Sequence, residues 1–389
     1  HPRRPRRRRG RGRDAVTRSR LRGGAAAPAL AAVAAIGVSS IAVWISGNDP
    51  VTAFQAMWSQ IDSTQSATLI VNRAVPYYIA AISVAIGFKM NLFNIGVNGQ
   101  YVLAAMLAAA AGAAVDLPPV LHIAMIVVIA VVVGATWAAI PAVLKAYRGV
   151  NEVISTIMLN YVATNLIAYL LTEHFRNPEQ TNIRETRVLP DSARLPRLTS
   201  IFGVSLDQAL FLFLPVAIAL GIGYHVLLNR SRFGFDLRVS GENPTAARAA
   251  GINPRKMILI TMIMSGAIAG LVGLGPLIAD NTFYKYGDQF PTTFGFTGLS
   301  LALLGRNHPV GMAAAAIVWA TIERATQALA FVDIPQEIGV ILQGSFLLAA
   351  VIAYEVVRRI TNDAETRAAA RQLGGDRPPP ATVPAEAPA

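Results

Sequence analysis

Cysteine is absent from all 389 residues. That excludes disulfides and thiolate metal sites and leaves the redox compartment unread. The five histidines are scattered without ligand spacing, so neither a metal centre nor any other cofactor is expected. Charged residues make up only 14% of the chain against 53% hydrophobic, too apolar a balance for an ordinary soluble protein. No GxxxxGK[ST] loop is present, so the chain cannot itself supply the nucleotide site of a P-loop ATPase. Ser39, in GVSSIAVW, has no partner base nearby, and acids and histidines do not cluster. The sequence reads as a non-enzyme.

What fills the chain instead is apolar runs. A helix needs roughly 20 apolar residues to cross a hydrocarbon core about 30 Å thick, and many runs approach that length. The expected class is all-α, a polytopic membrane protein of ten segments: 25–46, 67–88, 97–115, 119–142, 152–172, 209–228, 257–279, 293–305, 309–331 and 337–357. The net charge of +12 is concentrated at the start, where residues 1–22 hold eleven arginines and one aspartate. With no aromatic residues interleaved, this tail reads as a disordered cytoplasmic segment attracted to anionic lipid, not a nucleic-acid arm. The run that follows is read as an anchor, not a cleaved signal.

Placing the tail inside makes every second loop cytoplasmic. The inner loop 229–256 carries six basic and two acidic residues, whereas the outer loop 172–208 balances five arginines against five acids. That asymmetry fits the positive-inside rule with both termini in the cytoplasm. The transmembrane domain is expected over 23–359, followed by a Pro- and Ala-rich disordered tail at 360–389.

Two places break the apolar pattern. Between Gly87 and Ala105 the residues Asn91, Asn94, Asn98 and Gln100 crowd together, flanked by Gly96 and Gly99. Carboxamides donate and accept hydrogen bonds without charge, and glycines allow close backbone approach. The cluster suits either a polar translocation path or a helix–helix turn whose amides satisfy backbone groups. The eighth segment, 293–305, is too short to span and is set among Gly295, Gly298, Gly305 and Pro309. Interrupted segments in corresponding halves are a mark of transporter repeats, so a repeat relating segments 2–5 to 7–10 is expected.

Phe93-Asn94-Ile95-Gly96-Val97-Asn98-Gly99-Gln100 resembles the FNIG-x-x-GQ signature of ABC importer permeases in the branched-chain amino acid, ribose and nucleoside superfamily. The nucleoside and simple-sugar branch is the most similar. Asn98 departs from the glutamate usual in that family. Asn151 to Tyr161, NEVISTIMLNY, resembles a second stretch typical of nucleoside-type permeases. There Asn151 is a plausible N-cap for Glu152. Ser155, Asn160 and Tyr161 fall near one broad face, available for interhelical hydrogen bonds or for lining a path.

In the inner loop, Asn243 and Pro244 predict the start of a short helix and Gly251 its stop. With Glu242 leading in and Ala246, Ala247 and Ala250 offering small contacts, this stretch is similar to the coupling helix by which such permeases engage their ATPase. Deep in the ninth segment, Glu323 and Arg324 cannot share a face, so at least one points to another helix or a cavity. Arg73 reads as a residue that snorkels.

The resemblance implies a permease subunit of a bacterial ABC importer in the cytoplasmic membrane. Its implied partners are a cytoplasmic ATPase, a second related permease and an extracytoplasmic binding lipoprotein docked on the loop 172–208. The expected path residues are Asn94, Asn98, Gln100, Ser155, Asn160, Tyr161 and Glu323, carrying a nucleoside or a simple sugar. An ion-coupled secondary transporter is the alternative, and it would need a buried acid such as Glu323. A lipid-modifying membrane enzyme would need clustered acids or histidines that the sequence lacks.

Overall fold

Without water to bond exposed amides, a chain crossing lipid closes its backbone hydrogen bonds within helices or closed barrels. The computed structural model describes residues 33–180, 182–196, 213–279, 283–335 and 337–350, with 352 and 356. Among them every regular element is helical, and the only β pairing is an isolated bridge between Glu185 and Gly287.

The helices are α1 Val33–Ile45, α2 Pro50–Ile61, α3 Thr64–Phe88, α4 Val97–Ala114, α5 Pro119–Arg148, α6 Glu152–Glu173, α7 Phe213–Arg230, α8 Arg232–Glu242, α9 Pro244–Ala249, α10 Pro254–Gly270, α11 Phe294–Leu304, α12 Pro309–Thr326 and α13 Glu337–Ala350. A π-helical turn, Gly275–Ala279, follows α10, and a 3-10 turn, Gln327–Val332, follows α12.

The chain divides into two compact units, residues 51–336 and the flanking segments 1–50 with 337–389. In the second, the described residues form α1 and α13, both shorter than a full span. The basic tail 1–22 and the Pro/Ala tail 360–389 lie outside the described residues.

Among the described residues six helices are long and apolar enough to cross a membrane: α3, α4, α5, α6, α7 and α10 continued to Ala279. The chain is a multi-pass membrane protein. Their burial sorts them by place. The most apolar window of α3 is 78% buried and that of α5 only 22%, so α3 is the axis of this unit and α5 lies on its rim. Around α3 pack α7, α10, α11 and α12.

The largest helix interface joins α5 to α10. At its closest points glycine and alanine leave nothing bulky to hold the backbones apart. A Cβ on Gly134 would overlap the Gly266 carbonyl, one on Gly266 would overlap Ala138, and one on Gly270 would overlap the Ala130 carbonyl. Small residues in register bring the backbones into direct contact, which lets dispersion act over the whole seam.

Several boundaries differ from the sequence-based expectation. α5 runs on to Arg148 because Gly149, at φ 69°, supplies the left-handed stop rather than the apolar run ending at residue 142. α2 and α8 have no counterpart in the apolar-run reading, since both are amphipathic and too short or polar to register. α11 is a short helix of 11 residues, as expected for the eighth segment.

Candidate functional site

Lysine and arginine gather at the end of the helices where α3 closes and α4, α6 and α10 open, here termed the basic end. Lys89 caps α3 there. Its pKa is lowered by burial first and then by the neighbouring Arg238 guanidinium.

After Phe88 the chain doubles back along α3. Leu92 N donates to the Gly87 carbonyl at 3.0 Å, and a Cβ on Gly87 would lie 2.8 Å from the Leu92 oxygen, so glycine is needed for the turn. Asn94 is thereby carried back into the bundle. Its Nδ2 donates to Ser265 Oγ at 2.8 Å, and Ser265 Oγ donates to the Ser83 carbonyl at 2.7 Å. The segment is a re-entrant turn, and α4 begins inside the bundle.

Three carboxamides lock this turn. Asn94 Nδ2 donates to Gln100 Oε1 at 3.0 Å, and Gln100 Nε2 returns a bond to Asn94 Oδ1 at 3.0 Å. Asn94 Oδ1 also accepts from Gly96 N at 3.1 Å. Asn160, on α6, accepts from Gly99 N at 2.8 Å and donates to the Ile95 carbonyl at 3.0 Å. Asn94 and Gln100 are 0% and 1% exposed, and their amides face each other. A Cβ on Gly99 would fall 2.9 Å from Asn160 Oδ1, so the close approach of α4 and α6 requires the glycine.

Other expected site residues are placed differently. Ser155 is buried and its Oγ donates to the Glu152 carbonyl of its own helix at 3.2 Å. Tyr161 does not share the Asn160 face. It is 70% exposed, because one residue turns a helix by about 100° and the buried stripe of α6 is narrow. Asn98 lies where the first turns of α4 and α11 meet: a Cβ on Gly295 would be 2.5 Å from Asn98 N, and Asn98 Oδ1 is buried without a partner among the described residues.

The start of α6 is capped as expected, Asn151 Oδ1 accepting from Val153 N at 2.8 Å. Glu152 at its mouth is held by Lys145 Nζ at 2.7 Å, tying α6 to the end of α5.

The re-entrant turn also meets the segment that follows α7. Asn91 Nδ2 donates to the Gly241 carbonyl at 2.9 Å, and a Cβ on Gly241 would lie 2.7 Å from the Met90 backbone. Glu242 is the last residue of α8, not part of the short helix. That helix, α9, is capped by Asn243 Oδ1 accepting from Thr245 N and Ala246 N, each at 3.0 Å. Pro244 occupies its first turn, and Gly251, at φ 79°, ends it with Ile252 N donating to the Ala247 carbonyl at 2.9 Å. Ala247 faces inward at 0% exposure, while Ala246 and Ala250 face out.

Glu323 lies far from these motifs, at the opposite end. Arg73 does not snorkel. Its Nη2 and Nε reach Glu323 Oε1 at 2.6 and 3.0 Å, and Tyr77 OH donates to Oε2 at 2.8 Å. The guanidinium stacks over Phe294 at 5.0 Å. A lone arginine in an apolar run gave no sign of this pairing, because its partner is 250 residues away.

At the same end the segments 182–196 and 283–290 zip together. Thr186 N donates to the Tyr286 carbonyl and Leu189 N to the Tyr284 carbonyl, at 2.8 and 2.7 Å. Lys285 pairs with Glu185 at 2.7 Å, and Arg184 with Asp288 at 3.3 Å. Ser192 Oγ donates to Asp116 at 2.8 Å and lies 3.0 Å from His122 Nδ1. His122 is buried and joined to the Gly112 carbonyl, which makes the trio a lock between this cap and α4.

Residues 66–351 match the model of the branched-chain amino acid transport system permease component family. A glucose ABC transporter permease protein of Haloferax volcanii is 33% identical over 76% of this chain and 78% of its own length. A guanosine ABC transporter permease protein of Bacillus subtilis is 33% identical over 74% and 82%. A nucleoside ABC transporter permease protein of Lactococcus lactis is 28% identical over 80% and 86%. No solved structure matches the chain.

Proposed function

The chain belongs to the branched-chain amino acid transport system permease family, and from that premise we propose that it conducts a nucleoside or simple sugar inward across the bacterial cytoplasmic membrane. It acts as an ABC importer permease, with ATP hydrolysed on a separate cytoplasmic subunit. The support for the solute class is the likeness to glucose, guanosine and nucleoside permeases.

The observation that carries the route is the exposed face of α6. Tyr161, Thr164, Asn165 and Tyr169 all stand outward along a span otherwise fit for lipid. Thr164 Oγ1 and Asn165 Nδ2 bond back to the Asn160 and Tyr161 carbonyls of α6. The Asn165 oxygen and the two tyrosine hydroxyls at that depth are still costly against hydrocarbon, which favours a second, related permease across a polar route as their neighbour. On this reading Tyr161 and Asn165 front the route. Asn94, Gln100, Ser155 and Asn160 hold α6 from behind, and Asn98 and Glu323 border the polar interior.

We assign ten segments with both termini cytoplasmic, counting α1, α11, α12 and α13 with the six long spans, and segments 2–5 repeating as 7–10. The basic end then faces the ATPase, which α9 contacts through Ala246 and Ala250. The cap of residues 182–196 and 283–290 receives the binding lipoprotein. The ion-coupled alternative loses support because Glu323, the acid it required, is held by Arg73 and Tyr77.

Uptake of labelled guanosine and glucose by cells expressing the permease with its ATPase and binding protein tests the reading. Uptake should stop on ATP depletion and survive an uncoupler while ATP is maintained. The reverse pattern would make it an ion-coupled carrier.

A further inference from the structure

At the cap end, a cleft of about 260 Å³ opens between α3, α12 and the π-helical turn, lined by Asn72, Arg73, Pro276, Glu323, Arg324 and Gln327 among others. We propose that this cleft is a solute site that recognises the vicinal diol of a single sugar ring, free or as the ribose of a nucleoside. The assignment rests on the functional reading above and narrows it to a place and a chemical group.

Three independent features point there. The first is charge. Two guanidinium groups and one carboxylate line the cleft, a formal +1 at the end of an apolar bundle, where uncompensated charge is unfavourable. Arg73 and Glu323 compensate each other. Among the described residues Arg324 pairs with no carboxylate: its Nη1 donates to Gln327 Oε1 at 2.7 Å, and with the Gln60 amide turned over, both Nη atoms reach Gln60 Oε1 at 3.2 Å. Its Nε is buried without a partner among the described residues. Leaving a charged donor unmet in a buried place is unfavourable, and a small turn of the guanidinium toward the cleft lets an acceptor oxygen of a bound solute meet it.

The second is backbone. Pro76 interrupts the hydrogen-bond ladder of α3 on one wall, and on the other the π turn at Gly275–Ala279 breaks regular α geometry beyond the end of α10. Irregular turns of this kind recur where helices build binding sites. The third is size. Sites for drug-sized ligands start at about 300 Å³, so this cleft takes one ring and leaves a nucleobase outside.

The chemistry selects a diol over an anion. Glu323 Oε1 is taken by the two Arg73 bonds, but Oε2, which accepts from Tyr77, keeps a lone pair and accepts from one hydroxyl, while the Arg324 guanidinium donates to the adjacent oxygen. A phosphate or carboxylate would satisfy Arg324 but face the Glu323 carboxylate.

The test is equilibrium binding of labelled glucose and guanosine to the purified complete transporter in nanodiscs, with binding protein omitted and uptake measured in parallel. Wild type should bind at least one of them saturably. Competition by 2′-deoxyguanosine should be at least tenfold weaker than by guanosine if ribose is the ligand, and glucose should bind alone if a free sugar is. Arg324→Met should weaken binding at least tenfold, and Glu323→Gln likewise; since Glu323→Gln also loosens the Arg73 pair, Arg324→Met serves if that variant does not fold. Wild-type uptake without binding, binding unchanged in Arg324→Met, or equal competition by guanosine and its deoxy analogue without glucose binding would each overturn the site and leave the permease reading standing. Absence of uptake for every nucleoside and sugar would overturn both.

Discussion

Removing one amide of the Asn94–Gln100 pair should cost more than removing both would suggest. Asn94→Leu deprives Gln100 Oε1, Gln100 Nε2 and Gly96 N of partners in a site without solvent. Each unmet buried group costs about 1–3 kcal/mol in soluble proteins, whereas interhelical bonds in membranes average about 0.6 and reach about 1.7 kcal/mol. This variant should therefore lose about 2–4 kcal/mol. Gln100→Met should lose less, about 1–2 kcal/mol, because Asn94 Oδ1 keeps Gly96 N and Asn94 Nδ2 keeps Ser265 Oγ. The double variant strands no amide of the pair. Its loss should fall short of the sum of the singles by about 1–2 kcal/mol, the two reciprocal bonds counted once. Unfolding of the purified permease in mixed micelles, followed across the four proteins of the cycle, reads this directly. Additivity within about 0.3 kcal/mol would refute a reciprocal pair.

Four further outcomes are expected. Gly134→Leu drives a side chain into the Gly266 and Gly270 backbone, so folded permease should fail to accumulate in membranes, and normal yield would contradict the seam. Lys145→Met leaves Glu152, 8% exposed, without its partner and should cost about 1–3 kcal/mol in unfolding, with Glu152→Gln in the same protein restoring most of it. Cysteines at Glu185 and Gly287 should form a disulfide on mild oxidation, a shift on non-reducing gels with no background because the chain has no native thiol; no crosslink would mean the cap segments do not pair. Gly251→Ile forces a β-branched residue to φ 79° at a cost of about 1–2 kcal/mol, and docking of the ATPase and its stimulated hydrolysis should drop while the bundle still folds; unaltered hydrolysis would remove α9 from coupling.

What the sequence made legible was whatever depends on neighbours in the chain. Asn151, Asn243 and Gly251 act within a turn of themselves, and all three cap or stop helices as read. The motif amides were recognisable as a break in the apolar pattern. Their orientation was not, because Asn94 is turned inward by a chain reversal at Gly87 that depends on Leu92, and Asn160 reaches them from a different helix. Arg73 and Glu323 belong to the same class of blind spot: the pairing is made by packing α3 against α12, which no local period encodes. Amphipathic α2 and α8 escaped because a search for apolar runs does not detect them.

The seam between α5 and α10 has a consequence for how the protein meets its bilayer. With glycine on both sides and backbone touching backbone, α5 and α10 have no side-chain cushion to slide on and shift as one stiff pair. α10 follows α9 after a few residues, so displacement of α9 is handed to α5 as well. The far side of α5 presents Val128, Val132, Ile140 and Val143 outward along a helix of 30 residues, about 45 Å long. If the pair moves during transport as proposed, that surface would be pushed through acyl chains against the viscosity of the lipid. Turnover in reconstituted vesicles should accordingly slow as the bilayer is stiffened, even with ATP hydrolysis, binding protein and solute all at saturation.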